Sequence, residues 1–213
     1  MLPGQSYTGD PRRFAYADPP YPGKAKKYYG DHQDYGDEVD HQALIARLED
    51  EFEDGWALST SAAALQAVLP LCPKPIRRGA AGGGARPQIR VLAWCKPVAQ
   101  PGGYPGPLYG WEPVILRGGR RDASPCTWPR DWLVVSPELY TLRPKPEGHV
   151  VGAKPPAFLS WLFACLGALP GDELVDLFPG SGAVATAWKA YSAQPPLTPA
   201  EPYAPAPAEV LAL

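Results

Sequence analysis

Glu173-Leu-Val-Asp-Leu177 runs straight into Phe178-Pro-Gly-Ser-Gly182, and Ala183 to Tyr191 follows. The first stretch reads as a β-strand, the second as a glycine turn and the third as a helix. Glycine has no Cβ, so the main chain of such a turn can approach a ligand closely. In an open α/β sheet the turn lies at the carboxyl edge of its strand. Alone, this unit fits a ligand-binding loop and an ordinary chain reversal equally well.

Working outward, Pro155 to Leu169 is a strong helical run that Pro170-Gly171 breaks. Near the start, Phe14-Ala-Tyr-Ala17 is a short apolar run ended by Asp18-Pro-Pro-Tyr21, which reads as a buried strand stopped by two prolines. Asp40 is placed as a helix N-cap, with Leu44, Ile45, Leu48 and Phe52 at helical spacing behind it and Gly55 at the helix end. Trp56 to Ser59 reads as a strand and Ala62 to Leu71 as a helix closed by Pro73 and Pro75. Ile89 to Trp94 and Trp111 to Leu116 are strands that can pair as an antiparallel hairpin with a long tip. Trp132 to Val135 is a strand or a packed loop. Strands that alternate with helices predict an α/β sheet with helices on both faces.

The 213 residues suit one domain, or one domain with an insert, and are enough to bury a sizeable core. Charged residues make up 20% and hydrophobic ones 45%, the balance of a globular chain rather than a disordered one. Six of the 29 prolines fall between Pro195 and Pro207, so 192–213 is expected to be an extended tail behind a domain spanning 1–191. The four cysteines are far apart and the three histidines do not cluster with them, which argues against a zinc site and for a reducing, intracellular setting. Met1 to Asp10 does not read as a secretory signal, and Phe158 to Leu169 is too short to span a bilayer. The net charge of −2 is uneven. Asp31 to Asp54 holds ten acids and one base, net −9, which leaves 12 acids and 19 bases, net +7, elsewhere. The acidic stretch suits a solvated helix face, and the basic remainder is able to track phosphates.

Asp18-Pro-Pro-Tyr21 combines groups that suit an amine. A carboxylate at a sheet edge accepts hydrogen bonds from an N–H, and Pro19 lacks an N–H but keeps its carbonyl acceptor. Pro20 stiffens the turn, and Tyr21 offers a flat face for a base. A strand terminator with an exposed acid and a packed tyrosine is the competing reading of these four residues alone.

Together the two motifs resemble those of the amino-methyltransferases of DNA. Asp18-Pro-Pro-Tyr21 is similar to that family's catalytic motif, and Phe178, Gly180 and Gly182 match its Phe-x-Gly-x-Gly cofactor motif. Lys154-Pro155 before a helix matches a third element, and Trp111 to Leu116 looks like its late strand. With the catalytic motif first and the cofactor motif last, the chain resembles the circularly permuted beta group over about Phe14 to Tyr191. The resemblance implies a Rossmann-like methyltransferase sheet, circularly permuted. It also implies S-adenosyl-L-methionine as cofactor and direct methyl transfer to adenine N6 of a base flipped out of DNA. Asp18 and the Pro19 carbonyl would accept the amine protons, and Tyr21 would stack on the base. Asp176, Phe178, Pro179, Gly180, Ser181 and Gly182 would surround the cofactor, Lys154 would pair with its carboxylate, and Ala17 and Ser59 would line the pocket. Lys24, Lys26, Lys27, Arg77, Arg78, Arg86, Arg117, Arg120 and Arg121 fall in expected loops, part of them within 72–150, and are candidates for DNA phosphates.

In the permuted order, two more strand–helix units, the first ending in a ribose-binding acid, should follow the cofactor helix. The proline-rich tail stands there instead, so the sheet is expected to be truncated. Either it is minimal, or a second copy or partner subunit completes it, or cofactor binding has been lost. The alternatives to adenine in DNA are cytosine N4 in DNA, adenine N6 in RNA, and a catalytically inactive nucleic-acid-binding subunit. The implied location is the cytoplasm of a bacterial or phage-infected cell, with no membrane partner.

Overall fold

The computed structural model describes residues 10–22, 38–74, 89–100, 107–120, 128–135 and 153–193. These form one mixed six-stranded sheet with helices on both faces, the α/β arrangement that the alternation predicts. In chain order the elements are β1 (Arg13–Ala17), α1 (His41–Glu51), β2 (Gly55–Ser59), α2 (Leu65–Val68) with a 3-10 turn (Leu69–Leu71), β3 (Ile89–Gln100), β4 (Tyr109–Gly118), β5 (Trp132–Val134), α3 (Pro156–Leu166), β6 (Glu173–Asp176) and α4 (Ala183–Ser192). The spatial order is β5-β3-β4-β2-β1-β6. The β2, β1 and β6 strands run parallel, β4 is antiparallel to both β2 and β3, and β5 is parallel to β3.

Alternation along β1 builds two cores. Phe14 and Tyr16 point to the face covered by α3 and α4, and Ala15 and Ala17 to the face covered by α1 and α2. All four are 0% exposed. The α3 helix buries seven of its eleven residues, so it needs both the sheet and α4 as cover. Phe158 packs on Trp94 at 4.8 Å between ring centroids, and Phe163 meets Trp188 and Tyr191 edge-on at 5.3 Å each. Opposite, Leu44, Ile45 and Leu48 of α1 press on Trp56, Leu58 and Ile115. Asp40 caps α1 as expected, accepting from the amides of Gln42 (2.9 Å) and Ala43 (3.0 Å).

Several boundaries differ from the sequence reading. The Phe52 amide closes α1 on the Leu48 carbonyl, and Gly55 opens β2 instead of ending the helix. At Gly55 φ is +151°, and a Cβ there would lie 2.4 Å from the Gly119 nitrogen, so only glycine admits this close approach of β2 to the end of β4. The helix expected over Ala62–Leu71 opens as a turn to Ala64 and continues as α2 and the 3-10 turn, where Pro70 supplies no amide to extend the α-helical bonding. Pairing beyond the apolar cores lengthens β3 and β4, with a register shift between Cys95 and Gln100. Trp132 to Val134 is a strand. Among the described residues no helix is long and apolar enough to cross a membrane.

At the edge of the sheet where β1 and β6 begin, buried ion pairs tie the elements together. Arg120 meets Asp172 at 2.6 Å, with side chains 5% and 2% exposed. Asp172 also accepts from the amides of Arg12 (2.9 Å) and Leu169 (2.7 Å). One carboxylate thus clasps the start of β1, the end of β4 and the turn before β6. Asp172→Ala leaves Arg120 buried without its counter-charge and is expected to cost about 3–5 kcal/mol of folding free energy. Denaturant unfolding measures this, and a loss of only about 1 kcal/mol, the level of an exposed pair, would refute the clasp.

Candidate active site

The register of three parallel strands assembles the site. Tyr16 stands opposite Asp176 across β1 and β6, and Ala17 opposite Leu58 across β1 and β2. The segments that follow these strands, Asp18 to Tyr21, Thr60 onward and Leu177 to Gly182, therefore emerge at one carboxyl edge. Because β4 is antiparallel to β2, with Val114 opposite Ser59, Glu112 sits at this same edge. Trp94 is opposite Glu112 on β3.

Asp18 is not solitary. Lys154, two residues before α3, donates to Asp18 Oδ2 at 2.6 Å, and the two side chains are 9% and 23% exposed. Tyr21 donates its hydroxyl to Glu112 Oε2 at 2.9 Å, and Lys96 is bonded to Glu112 Oε1. Both ammonium groups face the Trp94 ring, Lys96 at 4.7 Å and Lys154 at 6.0 Å from its centroid. The indole is held by its N–H to the Val135 carbonyl at 3.0 Å. Tyr16 shares a 2.8 Å hydrogen bond with Ser59.

Burial pushes the Asp18 carboxyl above its ordinary range, against the downward pull of Lys154. Burial also raises Asp176, and the neighbouring Asp18 charge adds to that. The Tyr21 phenol is driven well above its usual value by burial and then by Asp18 and Glu112, so it remains a hydrogen-bond donor.

The glycine turn has the local form expected of it. Asp176 Oδ1 accepts from the Phe178 amide at 3.1 Å, while its buried Oδ2 has no partner. Gly180 (φ 41°) and Gly182 (φ 73°) adopt left-handed backbone. A Cβ on Gly182 would meet nothing within 4 Å, so space lies open there. Phe178 packs partly against the α1 core, and Pro179, Gly180 and Ser181 are exposed.

Other sequence expectations need correction. Lys154, expected to pair with a cofactor carboxylate, is engaged with the Asp18 carboxylate. The Ala17 side chain is fully buried in the core beneath α1, which leaves only its main chain to line a pocket. Arg117 and Arg120 belong to the opposite edge of the sheet, where Gly118 pairs with Gly55. Both are buried, Arg117 on Glu49 (3.0 Å) and the Glu53 carbonyl (2.9 Å), Arg120 on Asp172. Their charge is spent inside the fold and is withdrawn from any phosphate. Lys24, Lys26, Lys27, Arg77, Arg78, Arg86 and Arg121 lie outside the described residues, as does most of 192–213. Sequence reasoning missed Lys96, Glu112 and Trp94. The one signal was a glutamate within an otherwise apolar strand, Trp111-Glu-Pro-Val-Ile-Leu116.

Among solved structures, the chain is similar to the crystal structure of an M1.HpyAVI–SAM complex, with 16% identity and a TM-score of 0.49 over 85% of this chain and 79% of that one. It is also similar to the crystal structure of M1.HpyAVI, with 13% identity and a TM-score of 0.49 over 85% and 78%. Likeness at this level assigns no role to any residue. No protein-family model and no curated protein matches the chain.

The Lys154–Asp18 contact can be tested without reference to function. Lys154→Met removes the main influence that opposes burial, so the Asp18 pKa should rise further, and Lys154→Arg should bring it back down. Carboxyl-carbon NMR titration reads this directly. An Asp18 pKa that stays put or falls in the Met variant would contradict the assignment.

Proposed function

We propose that the chain is a methyltransferase that uses S-adenosyl-L-methionine to methylate the exocyclic amino group of a nucleic-acid base, with adenine N6 in DNA as the substrate. One observation carries this reading. Asp18-Pro-Pro-Tyr21 and the Phe178–Gly182 turn follow adjacent parallel strands and share one sheet edge. In open α/β sheets, ligand sites form at such an edge. On this reading the sheet is a circularly permuted methyltransferase sheet that ends at β6.

The residues present fit the cofactor. Asp176 Oδ2 is a buried acceptor lacking a donor, and Gly182 borders open space. Asp176 and Phe178 to Gly182 would hold it, and when bound it supplies a methyl group on a positively charged sulfur. Asp18 and the Pro19 carbonyl accept the two amine protons of the flipped base, which localises the nitrogen lone pair for attack. A carboxylate has room for this, since it offers about four lone-pair sites and Lys154 is bonded at Oδ2. Tyr21 stacks on the base and helps to hold it out of the duplex. Asp18, with its raised proton affinity, is the nearest base for the proton that leaves after transfer.

A second reading, a non-catalytic nucleic-acid-binding subunit, draws on β6. It is the edge strand among the described residues, so no further strand there brings a ribose-binding acid. Calorimetric titration with S-adenosyl-L-methionine separates the two, because only the first requires binding.

The direct test is mass spectrometry of nucleosides from a methylation-deficient host that expresses the chain, with N6-methyladenine expected. Asp18→Ala should lower turnover on the order of 10²–10³-fold while cofactor affinity falls far less, and Asp18→Asn, which keeps an acceptor, should fall between. N4-methylcytosine would change the base assigned here, and full activity in Asp18→Ala would end the reading.

Among the described residues no strand pairs with the outer edge of β6, and such an edge invites pairing. We therefore also propose that a second copy or a partner subunit covers β6. Light scattering of the purified chain should give a dimer mass. A monomer that binds S-adenosyl-L-methionine normally would refute this.

A further inference from the structure

Glu112 lies in β4, remote in sequence from both motifs, yet it accepts the Tyr21 hydroxyl at 2.9 Å. We infer that Glu112 is a positioning residue that fixes the plane of Tyr21 for the incoming base, with Lys96 as its charge partner. This rests on the methyltransferase reading.

The geometry explains why a charged residue occupies this place. A tyrosine ring that serves as a stacking face must be held at its rim, since any group placed on its face would block the base. Glu112 holds the rim through one oxygen, and Lys96 engages the other. The Glu112 and Lys96 side chains are 21% and 15% exposed, so each partly buried charge faces an opposite one. Lys96 is steadied over the Trp94 ring, and that indole is in turn bonded to Val135. The chain of contacts therefore runs from Val135, beside β5, through Trp94, Lys96 and Glu112 to the phenol. A hydrogen bond to an ionised acceptor is stronger than a neutral one and more directional than packing. The Tyr21 phenol is a reliable donor, because its pKa lies well above ordinary.

The chemistry separates this role from that of a merely structural ion pair. In Glu112→Gln a single carbonyl oxygen remains, and Tyr21 and Lys96 compete for it. Adding Lys96→Met removes the competitor and leaves that oxygen to Tyr21. If activity follows the Tyr21 bond, the Lys96→Met/Glu112→Gln double variant should be more active than Glu112→Gln alone. If it follows the ion pair, the double variant should be no better.

The experiment measures transfer of tritiated methyl groups from S-adenosyl-L-methionine to plasmid DNA from a methylation-deficient host. Glu112→Ala and Tyr21→Phe should each lower kcat/KM for DNA about ten- to hundredfold, the range for losing a hydrogen bond to a charged acceptor. Cofactor affinity should be unchanged, and the Tyr21→Phe/Glu112→Ala variant should be no worse than the poorer single one. Tyr21→Phe keeps the ring and its packing, so it decides the matter even if Glu112→Ala fails to fold. A fully active Tyr21→Phe, losses that multiply in the double variant, or no gain from Lys96→Met in the Gln background would each overturn the inference. A wild type that transfers no methyl group to DNA would remove the reading and the inference together.

Discussion

Burial of β1 is the constraint on which the rest depends. Four consecutive residues, Phe14 to Ala17, are wholly enclosed, two by each core. A strand packed on both faces delivers its carboxyl end into a region poor in water, and the next residue is an aspartate. An ionised carboxylate there must be paired or it takes up a proton. Lys154 supplies the pairing, and its place is set by α3, which packs on the same strand. Buried pairs of this kind contribute little net stability once desolvation is counted. What the pair provides is a carboxylate held in one orientation.

The two edges of the sheet use similar residues to different ends. At the edge where β1 begins, Arg117 and Arg120 meet Glu49 and Asp172, and main-chain groups of Arg12, Glu53 and Leu169 complete the network. The result is a clasp that joins loops. At the carboxyl edge, Lys154 meets Asp18 and Lys96 meets Glu112, but here Asp176 Oδ2 has no partner and the glycine turn borders open space. The first network joins parts of the fold to one another, and it too holds a buried atom with no hydrogen-bond partner, Arg120 Nε. What distinguishes the second is that its unpartnered atom is a carboxylate oxygen and that open space lies beside the glycine turn.

Strands and helices were legible in the sequence where a local cause acts alone. The Asp40 cap, the apolar run of β1 and the glycine turn after β6 each stand where their residues predict. The nearness of Asp18 and Asp176 was implied by the family resemblance, which puts both motifs at one site, and β1 does pair with β6. The pairing of charges was not legible. Lys154 is 136 residues from Asp18, and Glu112 is 91 residues from Tyr21, so only tertiary register joins them. Arg117 and Arg120 looked like loop cations for the same reason, since nothing local reveals that Glu49 and Asp172 face them. The extra length of β3 and β4 likewise comes from pairing with each other past the apolar core, not from the composition of either strand.

The charge balance at the carboxyl edge bears on what it can receive. Asp18, Asp176 and Glu112 bring three negative charges, and Lys96 and Lys154 bring two positive ones. The surplus is one negative charge, and it weighs on the two aspartates, where burial and, at Asp176, the charge of Asp18 favour the protonated forms. A cation near both reverses the Coulomb term for each and draws them back to the ionised state. By linkage, the ionised carboxylates hold that cation more tightly in return. A neutral amine gains from the same change, since an ionised Asp18 accepts hydrogen bonds and a protonated one donates its own. The edge is therefore suited to a cationic ligand and a neutral amine together, the first preparing the carboxylate that the second requires.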